Sequence, residues 1–155
     1  MGYPMNLIRA SADDAPELSR IAYESKSSWV YPASWLKQWQ EALTVTPEYI
    51  RSSRTFIMEV EHDKAGFYGL SIDRESGTLD HLWVLPHLIG CGLGRVMFGH
   101  AEKQAKLAGA TRLLIESDPH ADGFYETMGA VPVSKRPAPM DGTERMLTTF
   151  LKAIR

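Results

Sequence analysis

The sequence predicts an α/β (α+β) fold: a single domain over residues 1–155, with a mixed, mostly antiparallel sheet flanked by helices. Three observations predict it. The hydrophobic period changes along the chain, from three-and-four spacing at Leu18, Ile21 and Ala22 to short β-rich runs between Thr55 and Leu85. A helix-like run, GRVMFGHAEKQAKLAG, lies between the strand-like runs TLDHLWVL and TRLLIE, so these two can pair in parallel through a crossover. A length of 155 residues, 44% hydrophobic and 23% charged, suits one domain with its own core.

The elements follow in order. MNLIRA is a first strand. A helix comes next, capped at Asp13 or Asp14, with Pro16 in its first turn. In SSWVYPASWLKQWQEAL, Pro32 opens a second helix carrying Trp35, Leu36 and Trp39. Thr46 and Pro47 repeat the cap-then-proline signal and start a short third helix. TFIMEVEH, GFYGLSID and TLDHLWVL read as an antiparallel meander, with HDKAG and RESG as its turns. The next helix sets Leu93, Met97, Ala101, Ala105 and Ala108 near one face and ends at Gly109. Gly99 inside it costs roughly 1 kcal/mol against alanine, which predicts close packing there. TRLLIE is a short buried strand, and ADGFYETMG a short helix stopped by Gly129. AVPVSK and ERMLTTFLKAI are the last strands, separated by the proline-rich KRPAPMDG.

Bulk properties exclude several function classes. A net charge of -2 speaks against a nucleic-acid binder that relies on a basic surface. One cysteine, Cys91, allows no intrachain disulfide. No cysteine cluster or HExxH motif points to zinc, so no metal is expected. The N-terminal stretch turns acidic too early for a signal peptide, and no run reaches the length of a membrane span. A cytoplasmic protein with no membrane or nucleic-acid partner is the expectation.

The stretch from Val84 to Gly94, VLPHLIGCGLG, joins a strand to a helix through Gly90, Gly92 and Gly94. It is neither GxxxxGK[ST], because Arg95 and Val96 follow the glycines, nor GxGxxG, whose last glycine would fall on Arg95 or Met97. A P-loop ATPase and a dinucleotide dehydrogenase are therefore disfavoured. What is left is a glycine-rich turn into a helix N-terminus, where free amides and the dipole favour an anion at Ile89 to Arg95. Spacing alone leaves open both that reading and a tight turn with no ligand.

These residues resemble the GNAT-type N-acetyltransferases. Their motif V-x-P-x-x-[QR]-G-x-G-[IL]-G is matched by Val84, Pro86, Gly90, Gly92, Leu93 and Gly94. A second signature, A-x-x-F-Y-x-x-x-G, is matched by Ala121, Phe124, Tyr125 and Gly129. The resemblance implies a GNAT-like sheet with a central splay between the strands ending near Val84 and near Glu116. Acetyl-coenzyme A would lie in that splay. Its pyrophosphate would rest on the amides of Ile89, Gly90, Cys91, Gly92, Leu93, Gly94 and Arg95, and its pantetheine would pair with the backbone of Leu82, Trp83 and Val84. A backbone amide of that strand would polarise the acetyl carbonyl. Ile89 stands where the family usually has Gln or Arg, so the cradle would work through backbone. Asp118 stands near the position of an asparagine in many relatives and would bond backbone or cofactor, although its charge is unwelcome near phosphates.

The resemblance further implies acetyl transfer to an amine by direct attack in a ternary complex. Tyr125 is the expected acid, since the matching family tyrosine points at the cofactor sulfur. Asp80 and His81 are candidate bases on the strand entering the loop, on opposite faces unless a bulge intervenes. Glu24 and Glu61 are weaker candidates. Cys91 is expected to be a small loop residue rather than a nucleophile. Trp29, Tyr31 and Trp35, together with Glu24, are expected near the acceptor, the rings holding an amine by cation–π contact. The acceptor class is a small-molecule or peptide amine, and the family implies a homodimer. The competing reading is a coenzyme A-binding regulatory or partner-binding module without catalysis, motivated by Ile89 and the unassigned base.

Overall fold

The structure, a computed structural model, describes residues 4–155. Strand β1 (Met5–Arg9) leads through a 3-10 turn at Ala12–Asp14 into α1 (Ala15–Ser27). Three short helices follow: α2 (Ala33–Gln38), α3 (Gln40–Leu43) and α4 (Pro47–Ser52). The meander is β2 (Arg54–Val60), β3 (Asp63–Asp73) and β4 (Ser76–Val84). Helix α5 (Leu93–Leu107) crosses over to β5 (Arg112–Ser117). The chain ends with α6 (Asp122–Thr127), β6 (Val131–Pro137) and β7 (Met146–Ala153). All seven strands form one sheet in the order β1-β2-β3-β4-β5-β7-β6. The β4–β5 pair alone runs parallel. Among the described residues no helix is long and apolar enough to cross a membrane.

Local chemistry accounts for the element ends. Asp14 stands at the N-cap position of α1, its carboxylate turned back to accept from the Ser11 amide at 2.8 Å, and Pro16 lies in the first turn. Thr46 accepts a hydrogen bond from the Tyr49 amide at 3.0 Å, which caps α4. Gly109 and Gly129, at φ 87° and 88°, take the left-handed conformation that stops α5 and α6. Each face of the sheet buries a core. On one side α5 packs Met97, Phe98 and Ala101 against Tyr68, Leu113 and Phe150. On the other α1 packs Leu18, Ile21 and Ala22 against Ile57, Phe67 and Leu85.

Four expectations are corrected. The tryptophan-bearing helix divides at Trp39 into α2 and α3. The first hairpin turn is Glu61–His62, at φ 51° and 72°, so Asp63 to Gly66 of the expected turn already belong to β3. β6 runs on through Pro137 into the expected proline-rich loop. Gly99 is not a site of close packing: a β-carbon there would meet nothing within 4 Å.

Two irregularities shape the middle of the sheet. β4 and β5 pair only over Ser76–Thr78 and Arg112–Leu114, and beyond these residues the strands part. β4 also carries a bulge, since Gly69 opposes His81 while Leu70 opposes Leu79, leaving Asp80 as the extra residue.

Candidate active site

The parting of β4 and β5 opens a cleft of about 510 Å³ between the N-terminal ends of α5 and α6. One wall is β4, through Leu82, Trp83 and Val84. The Leu85 amide donates to Ala65 of β3 at 2.9 Å, so by alternation Trp83 and His81 also turn their backbone groups to β3. Leu82 and Val84 therefore turn theirs into the gap. Ser25 of α1 reaches this edge and donates its hydroxyl to the Val84 carbonyl at 2.8 Å.

The floor is the glycine turn: Ile89, Gly90, Gly92, Leu93, Gly94 and Arg95 all line the cleft. Gly90 and Gly92 sit at φ 89° and 84°, with open space where a β-carbon would be. Gly94 lies against Phe124, close enough that a β-carbon would touch the ring at 3.2 Å. The amides of Gly92, Leu93, Gly94 and Arg95 donate to no backbone carbonyl among the described residues. Gly92 is the N-cap and supplies no side chain. These are donors without acceptors at the positive end of a 15-residue helix. A phosphate group fits that set. Ile89 is apolar and exposed and adds no polar side chain to that set.

Ala121, Phe124 and Tyr125 form the opposite wall. Tyr125 packs against Phe98, Phe124 and Phe150. Its hydroxyl has no hydrogen-bond partner among the described residues. Burial, with the charge of Asp118, pushes the phenol well above its ordinary range, so it stays protonated. It is a proton donor facing the gap.

Asp118 and Cys91 do not line the cleft. Cys91 is exposed on the outside of the turn. Asp118 sits behind the wall in a buried charge cluster. Its carboxylate accepts from Lys26 Nζ, from Tyr31 Oη at 2.8 and 2.9 Å and from the His120 amide at 2.9 Å. Arg145 Nη2 lies 3.7 Å away. The side chains of Lys26, Asp118 and Arg145 are 12%, 8% and 10% exposed, so their charges meet little solvent screening. Burial alone would raise the Asp118 carboxyl, but the hydrogen bonds and the Lys26 charge outweigh it and hold the group below the usual range. At Lys26 burial wins instead and lowers the ammonium. Arg145 reconciles the two ends, because it repels Lys26 while lying beside Asp118.

The same cluster corrects the expected aromatic cage. Lys26 Nζ lies 4.2 Å from the Trp39 ring, 5.3 Å from Tyr31 and 5.7 Å from Trp29. The Arg145 guanidinium lies 4.9 Å from Trp39 and 5.6 Å from Tyr31 and Trp35. These rings already hold the protein's own cations. Of Trp29, Tyr31 and Trp35, Trp29 lines the cleft. Glu24 lies outside it, exposed and paired with Arg20 at 2.8 Å. Glu61 sits in the β2–β3 turn.

Asp80 and His81 lie beside the cleft rather than in its wall. The bulge brings both to Tyr49 of α4. Tyr49 donates to Asp80 at 2.6 Å and meets the His81 ring edge-on at 5.5 Å. Ser71 also donates to Asp80. His81 Nδ1 accepts from the Trp83 indole at 3.1 Å, so neutral His81 carries its hydrogen on Nε2. Burial lowers its imidazolium pKa, against the pull of Asp80.

Sequence reasoning missed Ser25, Lys26, Tyr49, His120 and Arg145. Ser25, Lys26 and Tyr49 lie on helices that motif matching passed over, and no local pattern marks Arg145. His120 lies between Asp118 and Ala121, inside the second signature's reach, and its proximity to Ala121 was a usable signal.

A mixed sheet opened at its parallel pair, over a helix N-terminus and a protonated tyrosine, defines an acetyltransferase fold. The chain belongs to the acetyltransferase (GNAT) family, whose family model matches residues 16–130. No curated protein matches it in sequence. Among solved structures it is similar to a GCN5-related N-acetyltransferase from Rhodopseudomonas palustris, at 19% identity over 99% of this chain and 96% of the other, TM-score 0.79. It is also similar to the PaiA N-acetyltransferase from Thermoplasma acidophilum in complex with coenzyme A, at 17% identity over 97% and 99%, TM-score 0.74. A third is the ribosomal-protein-S18-alanine N-acetyltransferase from Escherichia coli, at 18% identity over 97% and 94%, TM-score 0.75.

Proposed function

We propose that the protein transfers an acetyl group from acetyl-coenzyme A to an amine by direct attack in a ternary complex. The observation that carries this reading is the protonated, unpartnered Tyr125 hydroxyl lining the same cleft as the free amides of Gly92 to Arg95. Acetyl-coenzyme A supplies the thioester to be attacked. The amides at Gly92, Leu93, Gly94 and Arg95 would hold its pyrophosphate, with Gly90, Ile89 and Cys91 shaping the turn. Leu82 and Val84 would pair with its pantetheine, while Trp83 packs at the acceptor side. Leu82, whose amide turns into the gap, would stabilise the oxyanion that develops as the amine adds. Tyr125 would give its proton to the departing thiolate. Ala121 and Phe124 would close the apolar wall. Asp118 would serve the cofactor only indirectly, its charge being cancelled by Lys26 and Arg145.

On the acceptor side, Asp80 would attract the ammonium and His81 would fix the Trp83 ring beside Trp29, whose centroid is 6.1 Å away. Tyr31, Trp35 and Glu24 would shape the approach rather than hold the amine. The acceptor is a small-molecule or peptide amine. The proposal includes a cytoplasmic homodimer. Support for the dimer comes from the edge strand β6, which exposes Val131 and Val133 by 54% and 52%. Sedimentation would test it.

Calorimetry with acetyl-coenzyme A tests the cofactor, and thiol release with a panel of amines tests the transfer. Binding with turnover of an amine is expected. No binding at millimolar concentration would overturn the reading. Binding without turnover of any amine would instead favour a non-catalytic module.

A further inference from the structure

Among the described residues, one histidine lines the cleft, and it is neither of the groups on β4. His120 follows Pro119 in the 3-10 turn Pro119–Ala121, between β5 and α6. Its ring stacks on Trp29, with centroids 5.4 Å apart and planes 11° from parallel. Trp29 in turn lies beside Trp83, so His120 stands where the acceptor face of β4 meets the cleft.

The hydrogen bonds at its ring fix the tautomer. Nδ1 lies 2.9 Å from Tyr31 Oη and 3.1 Å from Asp118 Oδ1. Tyr31 spends its own hydrogen on Asp118. The ionised carboxylate can only accept. Both neighbours of Nδ1 therefore ask it to donate, and in neutral His120 the hydrogen sits on Nδ1. Nε2 is left with a lone pair and has no partner among the described residues. His81 is the reverse case: its lone pair is consumed by the Trp83 indole, and its Nε2 carries hydrogen.

We propose that His120, oriented through Nδ1 by Asp118 and Tyr31, is the base that takes the proton from the acceptor ammonium. The inference rests on the acetyl-transfer reading above and adds a residue to it. R–NH3+ passes one proton to Nε2 and becomes R–NH2. The amine nitrogen then bonds to the thioester carbon, and the carbon–sulfur bond breaks. The second amine proton leaves as the amide forms, and the thiolate is protonated. The sum is R–NH3+ plus acetyl-coenzyme A giving R–NH–COCH3, coenzyme A thiol and one proton, which imidazolium His120 returns to solvent. The polar groups that meet this imidazole are Asp118, just after β5, and Tyr31, after α1; Lys26 of α1 and Arg145 before β7 reach the Asp118 carboxylate.

The test uses the full chain, labelled with 15N-histidine and saturated with coenzyme A. The spectrum of neutral His120 should show a proton-bearing Nδ1 and a bare Nε2. A neutral form with its hydrogen on Nε2 would overturn the proposal. His120→Asn keeps a donor where Nδ1 was and removes Nε2. With benzylamine as probe it should lower kcat by about a hundredfold or more, at unchanged KM for acetyl-coenzyme A. With aniline, which is already neutral, the loss should be several times smaller. Equal losses with both amines would overturn the base role. Calorimetry keeps the parent reading separate: wild-type protein that fails to bind coenzyme A refutes acetyl transfer, whereas binding with a reversed tautomer refutes only His120.

Discussion

Replacing Asp118 with asparagine removes a charge and almost nothing else. The side chains are isosteric, so no cavity opens, and Tyr31, which reaches both carboxylate oxygens, keeps an oxygen to donate to. What changes is that Lys26 and Arg145 lose the carboxylate between them, at 12% and 10% exposure. Removing one partner of a buried ion pair costs about 3–5 kcal/mol. For a domain of this size each 1 kcal/mol lowers the melting temperature by about 2–4 °C, which gives a fall of about 6–20 °C. Thermal unfolding followed by circular dichroism at neutral pH measures it. The pH dependence supplies a second check with a definite sign. The Asp118 carboxyl is held below its ordinary value of 3.8, so its contribution is complete above that value. It is lost as pH falls through the lower, folded-state value. The gap between wild type and variant should therefore be widest at neutral pH and close in strong acid. A fall under about 2 °C, or a gap that does not close in acid, would refute the account of the cluster.

Three further outcomes follow from the site. Tyr125→Phe should lower kcat by about a hundredfold while leaving the calorimetric affinity for acetyl-coenzyme A unchanged; an unchanged rate at every pH removes the acid role. Gly92→Ala puts a side chain at φ 84°, a left-handed position that costs about 1–2 kcal/mol, and should raise the KM for acetyl-coenzyme A. A wild-type KM would mean the turn does not hold the cofactor. Gly69→Ala drives a β-carbon into the Tyr49 ring and should break the Tyr49–Asp80 bond. Burial, with the Asp80 bond, now holds that phenol above the ordinary 10.0, so ultraviolet titration of the variant should show one more tyrosine ionising in the ordinary range.

Much of the fold was legible because it rests on local signals. Pro16, Thr46 with Pro47, Gly109 and Gly129 mark helix ends through backbone chemistry that sequence displays directly. The residues that line the cleft were legible for the same reason, since the glycines from Gly90 to Gly94 and the Ala121–Tyr125 run are set by their own backbone or a short helix. The bulge at Asp80 left no such mark. It arises from a mismatch between two hairpin strands, and alternation along β4 alone puts Asp80 and His81 on opposite faces. Gly69 was its one trace, the bare position over which Tyr49 lies to reach Asp80. The aromatic cluster misled for a different reason. Trp29, Tyr31 and Trp35 are suited to a cation, as composition suggested, but Lys26 and Arg145 supply that cation from within the chain.

Asp118 shows how a departure from a family pattern can be compensated at long range. A carboxylate near the proposed phosphate site is unfavourable if its charge is free. Here Lys26, 92 residues earlier in the chain, binds it on one side and Arg145 stands on the other. The compensation makes the charge tolerable, and it also gives Asp118 something an asparagine lacks. An amide can present either oxygen or nitrogen to an imidazole, so it can hold both tautomers. A carboxylate flanked by two cations stays ionised and can only accept. It therefore forces the hydrogen of His120 onto Nδ1 and leaves Nε2 bare. On this argument Asp118→Asn carries a second signature beyond lost stability. His120 should populate both tautomers in the variant, and the imidazole nitrogen spectrum should move toward their average at temperatures where the protein remains folded. A His120 spectrum identical to wild type would mean that Tyr31 alone sets the tautomer.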